Sequence, residues 1–70
     1  MRVQVRMSKE ATEQLLTEIL EIIKSEPGIR PSEINRRLKL PQSDSLRATL
    51  IRRGLVRKVK EGQATHLYAR

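Results

Sequence analysis

The stretch Ser43-Asp44-Ser45-Leu46-Arg47-Ala48-Thr49-Leu50-Ile51-Arg52-Arg53 places three hydroxyls and three guanidinium groups within eleven residues. Hydroxyls bond phosphate or base edges, and guanidinium pairs with phosphate or with the guanine edge. At about 100° per residue, Leu46 and Leu50 define one side of a helix over 43–53. Asp44, Ser45, Ala48 and Arg52 lie opposite, with Arg47 on the flank. Ser and Ala keep the outer face narrow enough for a groove about 12 Å wide. Ser43 is a candidate N-cap as well as a contact, and Arg53 closes the set. Asp44 would repel phosphate; its acidic charge suits a helix N-terminus. A second group follows in Arg57, Lys58, Lys60 and Gln63.

Other chemistries find little support. The 70 residues include no Cys, so neither a disulfide framework nor a thiolate metal site is available. His66 stands alone and reads as an exposed strand residue. Glu10, Glu13, Glu18 and Glu21 could be imagined as acid/base pairs, but they read as one solvated helix face. With no nucleophile–base spacing, Gly-rich phosphate loop or metal-ligand cluster, no enzyme, cofactor or metal is expected.

Charge points to a polyanionic partner. The net charge is +7. Residues 1–26 carry four basic and five acidic side chains; residues 27–70 carry eleven and three. Such asymmetry within one small domain predicts an electropositive face. Arg36 and Arg37 add to it, either as phosphate contacts or as a solvated face. The wing cations could also serve as a charged edge that opposes sheet aggregation. No leader, lipid motif or apolar run of membrane-spanning length is present, so a cytoplasmic setting and no membrane partner are expected.

The elements that must position these residues follow from periodicity. The expected fold class is α+β in a single domain spanning 1–70. Residues 1–7 alternate Val3, Val5 and Met7 against Arg2, Gln4 and Arg6, the period of a short strand or arm. Ala11, Leu15, Leu16, Ile19, Leu20, Ile22 and Ile23 give a wide apolar face over a helix at 8–26, ended by Pro27-Gly28. Pro31 suits the first position of a helix at 31–39, with Ile34 and Leu38 facing inward. The 43–53 helix ends at Gly54. Residues 55–69 read as a hairpin turning at Glu61-Gly62, with Leu55, Val59, Leu67 and Ala69 inward and Tyr68 packing the hairpin onto the long helix. A chain this short buries only about 60% of its unfolded surface, so an aliphatic core of Ile and Leu must suffice.

Three helices followed by a basic hairpin is the order of a winged helix-turn-helix. The stretch Pro27-Gly28-Ile29-Arg30-Pro31-Ser32-Glu33-Ile34 through Arg70 resembles the winged helix-turn-helix of bacterial and archaeal regulators such as the MarR and ArsR families. The resemblance rests on Ser-Glu-Ile…Leu in the second helix, Gln-Ser…Leu…Leu in the third, and Gly-Leu-Val before a basic hairpin ending in Leu-Tyr. It implies double-stranded DNA binding by a small transcriptional regulator, a repressor among the candidates. Ser45, Arg47, Ala48 and Arg52 would enter the major groove, with Lys58 and Lys60 on the backbone. Three departures stand out. Asn35 replaces a small Ala, Lys39 replaces a turn Gly, and Leu50 to Gly54 is shorter than the pattern. MarR-type proteins add dimerisation helices and a ligand pocket. This chain has no room for them, so no small-molecule ligand is expected. A homodimer would form through the first helix or residues 3–7. Two alternatives remain at this level. One is a winged-helix module for protein association or RNA binding. The other is a ribbon-helix-helix DNA binder using residues 2–6.

Overall fold

The structure, a computed structural model, describes the backbone of residues 9–70 and the side chains of residues 12–70. The strand expected at residues 1–7 lies outside the described residues. The elements run α1 (Lys9–Ser25), α2 (Pro31–Leu38), α3 (Asp44–Arg52), β1 (Val56–Glu61) and β2 (Ala64–Ala69). The architecture is therefore α+β, three helices and then a two-stranded antiparallel hairpin.

α1 buries Leu16, Ile19 and Ile23, which recur at helical spacing along one face. Its exit is made by Pro27, which cannot continue a helix, and Gly28 at φ +88°. Pro31 occupies the first turn of α2, where its missing N–H is no loss. Lys39 ends α2 in the left-handed region, at φ 56°, the conformation expected of the glycine it replaces. Its N–H donates to the carbonyl of Arg36 and that of Leu40 to the carbonyl of Asn35 (3.3 and 2.8 Å), closing the last turn.

Helices and hairpin are joined through the α1–α2 connection. Ile29 and Leu67 form an antiparallel bridge: the Gly28 N–H donates to the Leu67 carbonyl at 2.8 Å, and the Leu67 N–H to the Ile29 carbonyl at 2.9 Å. The core is Leu16, Ile19, Ile23, Ile29, Ile34, Leu50, Val56 and Leu67, with Leu38, Leu46 and Ala69 packed against it. Every element contributes to this one aliphatic cluster.

The inward face of the hairpin differs from the expected one. Val56 is fully buried, whereas Leu55 is 39% exposed and precedes the strand. The register pairs Val56 with Ala69, Lys58 with Leu67 and Lys60 with Thr65. Directly opposed residues share a face, so the buried Leu67 sets the phase for β1. That phase turns Val56 inward, and Val59 falls on the other face, half-buried. Leu55 belongs to the turn after α3, where its N–H donates to the Leu50 carbonyl.

Candidate nucleic-acid interface

α3 presents Asp44, Ser45, Ala48 and Arg52 to solvent and buries Leu50, as its spacing requires. Two neighbouring candidates do not join that surface. Ser43 is 1% exposed, which withdraws it as a contact. It does precede α3, but its hydroxyl makes no cap bond. Instead it accepts from Arg47 Nε at 3.0 Å, while the Gln42 side-chain oxygen accepts the Asp44 N–H at 2.8 Å. The capping oxygen therefore comes from Gln42, a long amide that sequence reading passes over in favour of the adjacent hydroxyl. Arg47 has only 15% of its side chain exposed and is ion-paired with Asp44. It lies folded along the start of α3 rather than projecting.

Three more candidate cations are held by carboxylates. Arg36 Nη2 reaches both oxygens of Glu33 at 2.6 Å. Arg37 bonds Glu26 at 2.7 Å, and Arg53 bonds both oxygens of Glu13 at 3.1 and 2.8 Å. Hydrogen bonding to these carboxylates raises the pKa of each guanidinium above its usual value. The same bond from Arg36 holds the Glu33 carboxyl below its usual 4.5.

The remaining candidate cations lie at the end of α3 and on the hairpin. Arg52, Arg57, Lys58 and Lys60 are exposed and have no carboxylate partner among the described residues. Lys58 and Lys60 share the hairpin face that turns Val56 and Leu67 to the helices, but are themselves exposed. Arg57 occupies the opposite face, across from Tyr68, with its guanidinium carbon 4.9 Å from the ring centroid. Gln63 is exposed in the turn, after Gly62 at φ +62°; glycine suits that first turn position.

Of the two ring residues of β2, Tyr68 lies against Gly28, just past the end of α1; a Cβ placed on Gly28 would stand 3.3 Å from its hydroxyl oxygen. A glycine there lets the aromatic ring cover the neighbouring chain. His66 is half-buried rather than exposed. Its Nδ1 donates to the Gly28 carbonyl at 2.8 Å, which places the proton on that nitrogen, and Nε2 stands 3.8 Å from Glu61 Oε1. A lone His facing a turn carbonyl leaves no signature in residue spacing.

A largely apolar cleft of about 380 Å³ opens between the start of α1 and the α2–α3 connection, lined by Thr12, Leu40, Pro41, Gln42, Ser43, Ser45 and Leu46. The expectation of no room for a pocket thus meets a cleft of small-ligand size. Two of its polar groups are already engaged, Ser43 with Arg47 and Gln42 with Asp44. Among the described residues no three His, Asp or Glu converge as metal ligands, and no helix is long and apolar enough to cross a membrane.

No protein-family model, curated protein or solved structure matches the chain.

Proposed function

We propose that the chain is a winged helix-turn-helix that binds double-stranded DNA, directing the outer face of α3 to the major groove and the β1–β2 hairpin to the backbone. The observation that carries this reading is the sorting of its cations. Among the candidate residues, Arg36, Arg37, Arg47 and Arg53 are ion-paired, whereas Arg52, Arg57, Lys58 and Lys60 have no carboxylate partner among the described residues. Exposed, unpaired cations near a helix with a narrow Ser/Ala face are what phosphate contact and groove entry both require. The Ile29–Leu67 bridge supports the reading by tying the hairpin to the helical part of the chain.

Base reading falls to Ser45, Ala48 and Arg52, with Arg47 engaged elsewhere. Most of the affinity in this reading is therefore electrostatic and steeply salt-dependent. The cellular role that follows is transcriptional regulation by occupancy of a DNA site.

The test is a fluorescence-anisotropy titration with mixed-sequence duplex at two salt concentrations. Binding should weaken steeply with salt. Lys58→Ala/Lys60→Ala should lower the salt slope by about two and Arg52→Ala by about one. Absence of binding at low salt by the folded protein would overturn the reading. It would also favour the protein-association alternative, for which exposed Leu55 and the apolar cleft beside Leu40 and Leu46 are the supporting observations.

A further inference from the structure

We propose that the hairpin carries a second phosphate-facing surface, on the side turned away from the helices, where Tyr68 holds the Arg57 guanidinium in place for a phosphodiester of the bound duplex. This rests on the DNA reading above. It adds a contact on the face opposite Lys58 and Lys60 and names the residue that positions it.

Register and burial separate the two faces. Lys58 and Lys60 stand with Leu67 and Thr65; Arg57, Val59 and Glu61 stand with Tyr68, His66 and Ala64. The Arg57 guanidinium lies over the Tyr68 ring at 4.9 Å. The ring itself is seated on Gly28, whose N–H is bonded to the Leu67 carbonyl at 2.8 Å. A chain of contacts from the bridged turn through the ring thus fixes where the guanidinium sits. Among the hairpin residues of that face the one acid, Glu61, is at the far end of the strand beside His66.

A guanidinium stacked on an aromatic face keeps its N–H edges free, and those edges match two phosphate oxygens. Stacking also restricts a long side chain before binding, so less conformational entropy is lost on contact. Lysine at the same position keeps the charge but neither the planar stack nor the fork. Tyr68 is then a positioning residue: it touches no phosphate and acts through Arg57.

The experiment is duplex titration of Tyr68→Phe, Tyr68→Leu, Arg57→Lys and the Tyr68→Leu/Arg57→Lys pair over a salt series, with thermal melts alongside. Tyr68→Leu should weaken binding about threefold, the size of an exposed cation–π contact, with its salt slope unchanged because no charge is lost. Tyr68→Phe should restore wild-type affinity. Arg57→Lys should weaken binding to a similar extent, and the pair should be no weaker than either single change. Tyr68→Leu binding as wild type, or losses that multiply in the pair, would overturn the proposal and leave the DNA reading intact. Failure of the wild type to bind would overturn both. Should Tyr68→Leu lose its cooperative melt, exposed Arg57→Lys decides alone, and wild-type affinity for it overturns the proposal.

Discussion

Arg53 and Glu13, forty residues apart, are joined by two hydrogen bonds, 3.1 and 2.8 Å, that tie the end of α3 to the first half of α1. Among the described residues Arg52, beside Arg53, reaches only Thr49 Oγ1, at 3.4 Å. Consecutive arginines thus differ: one joins helices and the other stands exposed. Arg53→Ala should lower the melting temperature by a small amount that shrinks at high salt, because exposed ion pairs are screened. Its DNA affinity should fall less than that of Arg52→Ala. Melts and titrations of the two variants, side by side, check the assignment.

Lys39 holds a left-handed conformation that costs a side-chain-bearing residue about 1–2 kcal/mol. Lys39→Gly removes that cost and returns part of it through a freer unfolded chain. A net gain of about 0.5–1 kcal/mol is expected. Urea titration measures it, and a loss of stability would contradict this account of the α2 terminus.

Asn35 carries a buried side-chain oxygen with no hydrogen-bond partner among the described residues. Burying such an atom costs about 1–3 kcal/mol, and Asn is also a poorer helix former than Ala. Asn35→Ala should stabilise the protein by about 1 kcal/mol, read as an upward shift of the denaturation midpoint at unchanged slope.

Leu67 is fully buried, shares the inner side of the hairpin with Val56 and Ala69 and forms the bridge to Ile29. Truncating such a residue costs about 2–5 kcal/mol. That is a large fraction of what a domain of this size can muster. Leu67→Ala should therefore leave the chain mostly unfolded at 37 °C by circular dichroism. An unperturbed melt would show that the hairpin is not part of the cooperative unit.

The hydrogen bond from Arg36 keeps the Glu33 carboxyl below its ordinary 4.5. The folded chain therefore releases this proton at lower pH than the unfolded chain. Its contribution is complete above the ordinary value and fades as pH falls below it, because there the unfolded state binds more protons. Glu33→Gln should flatten the pH dependence of the melting temperature between about pH 5 and 3 and leave that above pH 6 little changed. An unaltered acid limb would remove Glu33 from the set of stabilising carboxylates.

The helices could be read from the chain because their signals are local. Apolar residues recur at Leu16, Ile19 and Ile23, Pro31 marks a start, and Pro27 with Gly28 marks a stop. The observed bounds of α1, α2 and α3 sit within a residue of those expected at each end. Lys39 shows a turn geometry asserting itself against residue preference. The hairpin was readable in place but not in phase. Leu55 and Val56 are both apolar and adjacent, so alternation alone could not choose between them.

What the amino-acid order determined by itself was an aliphatic α+β chain of three helices and a basic hairpin, with its positive charge concentrated after residue 26. Hydrophobic period, helix-ending residues and net charge are properties of neighbours in sequence. Which cations remain available was decided only in three dimensions. Glu13 meets Arg53 across forty residues, Glu26 meets Arg37 across a turn, and Leu67 pairs with Ile29 and so sets which hairpin residues face inward. Charge pairing depends on distance through space, and a strand's phase depends on its partner; neither is encoded in the spacing of residues along the chain.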